Sequence, residues 1–460
     1  MLTVLESCRI SPPPATVGNR ILPITFFDNI FLLHFPINQL FFYEFPHSKP
    51  HFMQTIVPNL KHSLSITLQH FFPFTSNLIV FPTNHHSRKP EIRHVEGDSV
   101  QFTLAECDLD FKDLVGYHPR ACDKFYQLVP PLGCAVKGSD FLAIPLFAVQ
   151  VTIFENYGVS IGITNHHVLC DASTKCDFLK AWTSIARLGT DESLLANRSL
   201  PVFKRLVQYP ESLDKMFLNQ PGVDTLNFEY QPPQLVGPSF KVRATFILIK
   251  EKINMIKKWV TIELPALGYV SSFSIVCAYV WSCVAKSRVE IGKMNGQDEL
   301  ERFVCLANFR SRMDPPLPQT YFGNCVGPCV AITKSTLLAG DKGFLIAVES
   351  LGNAISKTVK NSDGVSKEAE LWFEMLFGLP AKIPSKIGVA GTPKVKIYDV
   401  DFGWGKPTKY ETVSIDCNGS ISVNASRDSP EDIEIGLSLP AKQMDAFIDI
   451  FNNGLEKEFS

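Results

Sequence analysis

Strand-like and helical patterns alternate through both halves of this chain, which predicts an α/β protein of two domains with mixed sheets. Two further observations support the division. From about residue 187 to 240 periodicity weakens while Pro201, Pro210, Pro221, Pro232, Pro233 and Pro238 accumulate, the mark of a crossover segment. With 460 residues the chain is also long enough for more than one core. The expected layout is an N-terminal domain over 1–200, a linker over 201–240 and a C-terminal domain over 241–460.

Each element has its own signal. Leu60, Leu64, Leu68 and Phe71 repeat at helical spacing and stop before Pro73, so a helix is expected there. Phe147–Phe154 and Val159–Thr164 flank Asn156-Tyr157-Gly158 and read as a hairpin. Val159, Ile161 and Ile163 share one strand face, continued by Asn165 and His167. After Asp171 the period changes: Phe178, Leu179, Trp182 and Ile185 form a helical stripe. Beyond the linker, Ala244–Ile249 reads as a strand, followed by a helix with Ile253, Ile256 and Trp259 or Val260 inward. Phe273–Val284 is apolar nearly all round and predicts a buried helix. Met444, Phe447, Ile448 and Phe451 make a last amphipathic helix, expected to stop near Gly454.

Composition narrows the function classes. Lys and Arg number 44 against 46 Asp and Glu, a formal charge of −2, so there is no electrostatic footprint for nucleic acid. No apolar run is long enough to span a membrane. Glu6, Arg9, Pro12 to Pro14, Arg20 and Asp28 interrupt any signal-peptide core. The 12 cysteines show neither a CxxC pair nor a framework spacing, which fits free thiols in a reducing compartment, the cytosol. The sequons at Asn197, Asn418 and Asn424 are then chance matches.

All 11 histidines lie at or before His167, so a histidine base must come from the N-terminal half. The run Asn165-His166-His167-Val168-Leu169-Cys170-Asp171 sits where a strand ends and a helix begins, a frequent place for catalytic groups in α/β folds. An imidazole with a pKa near 6.5 suits removal of a hydroxyl proton at neutral pH. A structural role for His167 stands beside that. Asp171 is well placed as a helix N-cap, with Ser173 as the alternative. Cys170 beside a histidine pair invites a Cys-His nucleophile, although a buried, inert thiol is the ordinary case. A zinc site from His166, His167, Cys170 and Cys176 fails, because adjacent strand residues point to opposite faces. No metal is expected.

Asp401-Phe402-Gly403-Trp404-Gly405 begins like a kinase motif, but no kinase glycine loop or H-R-D loop accompanies it, and no P-loop or dinucleotide fingerprint is present. By itself it reads as a loop in which two glycines turn tightly around a buried Trp.

Together these residues resemble the plant BAHD acyl-CoA-dependent acyltransferases. His167 to Asp171 matches their H-x-x-x-D motif, and Asp401 to Gly405 their D-F-G-W-G motif, in the right order and far apart. Leu22-Pro-Ile-Thr-Phe-Phe-Asp28 and Leu60-Lys-His-Ser-Leu-Ser65 extend the likeness to the N-terminus. Tyr321-Phe-Gly-Asn-Cys325, Asp314–Pro318 and Val389–Pro393 are similar to the branch that malonylates anthocyanin, flavonoid and phenolic glucosides.

The resemblance implies two chloramphenicol-acetyltransferase-like domains with an active-site channel between them. His167 stands midway and takes the proton from a sugar hydroxyl, which attacks the acyl-CoA thioester directly. Asp171 orients the histidine loop, paired with Arg310, and Asp401 is the second acid/base candidate, although a motif of two glycines and a Trp favours a structural role for it. Gly403, Trp404 and Gly405 support the loop, with the Trp404 indole as an oxyanion donor. For CoA the likeness points to Lys257, with Lys250, Lys252 and Lys258 as competitors, and to the helix start at Ser271 and Ser272. A malonyl carboxylate requires a cation; where malonyl-transferring relatives carry a basic residue this chain has Gln39, and Lys175 or Arg312 could substitute. Ala172 replaces the usual glycine after the motif aspartate, acceptable if residue 172 is helical. Hydroxycinnamoyl-CoA is the competing donor, and a non-catalytic CoA-ester or phenolic binder is the competing function. Acyl-CoA and a glucoside are the expected partners of a monomer, with no cofactor beyond the co-substrate.

Overall fold

A computed structural model describes the chain except residues 46–47, 83–87, 198, 235, 269, 294–298, 361–364, 379–384 and 458–460. The predicted hairpin forms from Phe147–Phe154 and Gly158–Asn165, paired from Phe147↔Asn165 to Phe154↔Gly158. The turn lies one residue earlier than the sequence suggests, over 155–157, with Asn156 at φ +66°. Gly158 belongs to the strand because the backbone of Tyr43 passes beside it; a Cβ there would lie 2.3 Å from the Tyr43 carbonyl oxygen. Both strands are buried on both faces, which explains why polar and apolar residues fail to alternate cleanly along them.

These strands are the middle of a six-stranded sheet. Leu2–Ile10, Val100–Cys107, Phe147–Phe154, Gly158–Asn165, Ile37–Glu44 and Lys409–Thr412 follow one another across it. Two helices, Val57–His70 and Ala172–Leu188, pack together in its core through Leu60, Leu64, Leu68, Phe178, Leu179 and Trp182. The Trp182 indole N–H, buried with them, donates to Ser63 Oγ at 3.1 Å.

The C-terminal half builds a seven-stranded sheet against which Ser272–Glu290 packs, buried almost all round as expected. Lys250–Glu263 turns Ile253, Ile256 and Val260 inward and leaves Trp259 at the edge of the core. The last helix corrects one expectation. It runs from Ala441 to Lys457, straight through Gly454. That glycine does not end the helix; a Cβ on it would stand 2.5 Å from the Tyr279 hydroxyl, which donates to the Phe451 carbonyl. It permits a close helix contact.

Among the described residues, two strands cross from one half into the other half's sheet. Lys409–Thr412, from the C-terminal half, pairs with Ile37–Glu44 at the edge of the N-terminal sheet. Arg120–Ala121, from the N-terminal half, pairs with Lys241–Leu248 in the other sheet. Between the halves, 201–240 carries the short helix Glu211–Leu218 and a parallel bridge from Val202 to Tyr321.

Candidate active site

The strand Gly158–Asn165 runs into a single 3-10 turn, His167–Leu169, capped by His166, whose Nδ1 accepts the Val168 N–H at 3.2 Å. Asp171 then caps the helix Ala172–Leu188, its Oδ1 accepting the Thr174 N–H at 3.1 Å, so Asp171 rather than Ser173 is the N-cap. Ala172 is the first helical residue, which accommodates alanine where a glycine is usual. From Gly158 to Asp171 every residue is buried except His167. His167 is thus the one residue of this segment that keeps partial exposure.

Both carboxylate oxygens of Asp171 are gripped from across the molecule. Arg310 Nη1 donates to its Oδ2 at 2.6 Å and Nη2 to its Oδ1 at 3.1 Å, the bidentate geometry that guanidinium and carboxylate favour. The Cys325 N–H adds a third contact to Oδ2 at 3.1 Å. Arg310 Nη2 also reaches Thr174 Oγ1 and the carbonyls of Tyr321 and Gly323. Arg310 is wholly buried and stands in a short turn at the end of the strand Leu300–Asn308. The Asp171 oxygens are thus taken by main chain and guanidinium, and act on His167 by shaping its loop.

His167 itself stacks on Phe31, ring centroids 3.8 Å apart and planes 8° from parallel. His34 meets it edge-on at 5.3 Å. Burial holds its pKa well below the usual 6.5, and the neighbouring His34, Lys175 and His166 oppose a further positive charge. The ring is therefore neutral around pH 7, with a lone pair ready to accept a proton.

Comparison with known proteins now has a geometry to attach to. A family model for the Transferase family matches residues 1–453. The chain is 53% identical over 457 residues to malonyl-coenzyme A:anthocyanin 3-O-glucoside-6''-O-malonyltransferase of Dahlia pinnata, covering 99% of this chain and 98% of that one. It is 39% identical to phenolic glucoside malonyltransferase 1 of Nicotiana tabacum, covering 92% of each.

The chain belongs to the BAHD acyltransferase family.

Vinorine synthase shares the fold, with a TM-score of 0.70 at 22% identity over 97% of this chain and 96% of that one. So does TRI101 of F. sporotrichioides complexed with coenzyme A and T-2, at 0.64 and 15% identity over 93% and 96%.

Within this BAHD chain the predicted residues fall into separate groups. His167, Asp171 and Arg310 meet in one network, together with Asp28 and Asn324, whose roles the sequence did not disclose. Asp401 lies apart from it: its Oδ1 accepts the N–H groups of Gly403 at 2.7 Å and Gly405 at 3.0 Å, and both glycines have positive φ. The aspartate closes its own loop. Phe402, not Trp404, is the buried aromatic of the motif; it packs edge-on against Trp182. Trp404 is half-buried against Tyr43, Phe45 and Phe52, and among the described residues no ring contact links it to His167.

Ser271 caps the helix at Ser272 by accepting the Ser274 N–H, so the expected helix start is real. Lys257 is half-exposed on the adjoining helix, its pKa lowered by partial burial. Arg312 is exposed and bonded to the Asn308 carbonyl. Lys175 is buried, and its Nζ donates to Asn165 Oδ1 at 3.1 Å. Gln39 donates to the Tyr410 hydroxyl and keeps a buried, unpaired Oε1. Cys170 is buried, which pushes its thiol up to about 12 and disfavours the thiolate a nucleophile needs. Among the described residues no cluster suited to a metal ion occurs.

Proposed function

We propose that this chain transfers a malonyl group from malonyl-CoA to a sugar hydroxyl of an anthocyanin, flavonoid or phenolic glucoside, with His167 as general base. His167 Nε2 takes the hydroxyl proton as the oxygen attacks the thioester carbonyl. The tetrahedral intermediate collapses with cleavage of the C–S bond, and the proton returns from His167 to the CoA sulfur. The acceptor and the acyl-CoA enter from opposite sides of a channel between the two domains, and Lys257, Ser271 and Ser272 contact CoA. The observation that carries this is His167: the one partly exposed residue of a buried segment, neutral, four residues before a carboxylate clamped by Arg310. The Dahlia and Nicotiana relatives, both malonyltransferases by name, supply the donor and acceptor classes.

Lys175 supports malonyl as the donor. It is a buried cation bonded to a neutral amide, and among the described residues no carboxylate pairs with it. Burial lowers its pKa to about 8, so at pH 7 it keeps a charge that destabilises the fold by up to about 3 kcal/mol relative to a neutral side chain. A malonyl carboxylate would be its counter-ion. Lys175→Met should therefore raise the melting temperature while removing the preference for malonyl-CoA over acetyl-CoA. An unchanged preference would show that Lys175 is not the selector.

The deciding experiment offers a glucoside together with equimolar malonyl-CoA and coumaroyl-CoA and weighs the products by mass spectrometry, with His167→Ala alongside. The expected product is the malonylated glucoside, lost in the variant. A coumaroyl product would overturn the donor, two Arabidopsis thaliana relatives at 34% and 35% identity being coumaroyltransferases by name. Binding without turnover, unchanged in His167→Ala, would make the chain a binder.

A further inference from the structure

A general base is effective only when its reacting nitrogen is held in one place, and His167 lacks the usual support. Its Nδ1 is buried without a partner of hydrogen-bond geometry; the acceptor that faces it is the residue's own carbonyl oxygen. Asp171 cannot steady the ring, since its oxygens are engaged by Arg310, Thr174 and Cys325. Stacking on Phe31 fixes the ring plane but not rotation within it. Control of the imidazole therefore falls on the main chain of His167.

That main chain is held from the other half of the molecule. Asn324 Nδ2 donates to the His167 carbonyl at 3.0 Å and to the Val168 carbonyl at 3.3 Å. The same amide and the Asn324 N–H both reach Asp28 Oδ1, at 3.0 and 3.2 Å. Asp28 is fixed in turn by the Thr25 N–H and hydroxyl on Oδ2. Asn324 and Asp28 are both fully buried. One residue on, the Cys325 N–H binds Asp171. One residue back, Gly323 turns the chain at φ +112°, where a Cβ would stand 2.9 Å from Arg205 Nη1. A single turn, 321–325, thus grips both ends of the loop from His167 to Asp171.

We propose that Asn324 is a positioning residue for the base: by fixing the His167 carbonyl it sets the imidazole rotation and keeps the ring proton on Nδ1, leaving the Nε2 lone pair for the acceptor hydroxyl. This rests on His167 being the base, so its test includes a variant that separates the two. Asn324→Ala removes the donors. Asn324→Ser keeps a hydroxyl for Asp28 but is too short to span to the His167 carbonyl, which protects folding while releasing the clamp.

Both variants and His167→Ala are assayed as purified full-length protein with malonyl-CoA and a phenolic glucoside, for kcat, both KM values and the pH profile of kcat/KM. Misplacing a catalytic group by about 1 Å can cost roughly 100-fold, so kcat should fall about 10- to 100-fold with KM values within about threefold. The acidic limb of kcat/KM should move up toward 6.5 as water reaches the loosened loop. His34, His166 and Lys175, the charged or titratable groups facing His167, are untouched by the substitution, so they cannot cause that shift. An unchanged kcat and limb in Asn324→Ser would overturn the proposal. So would a joint collapse of kcat and CoA-ester binding, which marks a merely structural role. Retained activity in His167→Ala would instead remove the base itself.

Discussion

Replacing Arg310 by methionine tests the clamp under the catalytic loop. The guanidinium makes five contacts of 3.1 Å or less, two of them to Asp171 and the rest to Thr174, Tyr321 and Gly323. Methionine fills much of the volume and makes none. Asp171 is 4% exposed and would keep only the N–H groups of Thr174 and Cys325. Breaking a buried ion pair by removing one partner costs about 3–5 kcal/mol; the two surviving donors put this case at the lower end, about 3 kcal/mol. Each kcal/mol moves the midpoint of a domain of 150–250 residues by roughly 2–4 °C, so a fall of about 6–12 °C is expected. Adding Asp171→Asn removes the stranded charge while preserving the Oδ1 cap, and the double variant should regain about 1–2 kcal/mol of that loss. Thermal unfolding of wild type, both single variants and the double variant closes the cycle, with turnover measured on each. Strictly additive losses, or a midpoint shift under about 2 °C for Arg310→Met, would refute the clamp.

Three other outcomes follow from the same geometry. Burial lowers the pKa of His166 to about 4, so below pH 6.5 the unfolded chain takes up a proton that the folded chain refuses. Stability should then fall by up to about 3 kcal/mol between pH 6.5 and 4; urea midpoints across this window should flatten in His166→Asn, and an equal slope would exclude His166 as the cause. Asp401→Asn keeps an oxygen for the Gly403 and Gly405 N–H groups, so turnover within about threefold of wild type is expected; a loss of 100-fold in soluble protein would assign Asp401 to proton transfer. Iodoacetamide should modify the exposed Cys134 and Cys417 and spare Cys170, leaving activity intact, as peptide mapping by mass spectrometry can check.

The parts of this molecule legible in its sequence are those encoded within about twenty consecutive residues. The hairpin before His167, the capped helix after Asp171 and the buried helix at Ser272 each declare themselves through period and capping, because their partners are local. Gly454 misled because a glycine that ends a helix and one that admits a neighbouring hydroxyl look alike in one dimension. Trp404 misled likewise: the motif shows that an aromatic anchors the loop, but only packing shows that it is Phe402. The pairing of Asp171 with Arg310 was reachable only through family likeness, since 139 residues separate them. Asn324 stood inside a motif, Tyr321 to Cys325, that marked the family branch, but its contact with His167 was not legible, because a side chain that binds main-chain carbonyls leaves no complementary residue to find.

The segment 201–240, read from the sequence as a linker, does not part the two sheets into separate units. Lys409–Thr412 braces Ile37–Glu44, which braces the strand Gly158–Asn165 just before His167, so residues from beyond position 400 help to support the base. On that strand Glu411, buried, receives Arg120 at 2.8 Å from one half and Arg243 at 3.2 Å from the other. Burial alone would raise its pKa, yet Arg120, Arg243 and Lys409 together hold it at about 2, so the carboxylate of Glu411 stays charged near neutrality. A chain cut in the linker would leave Arg120 buried without its carboxylate and the edge of Ile37–Glu44 unpaired. The two halves are therefore interlocked through a strand each lends the other, and the position of His167 is a property of the whole chain.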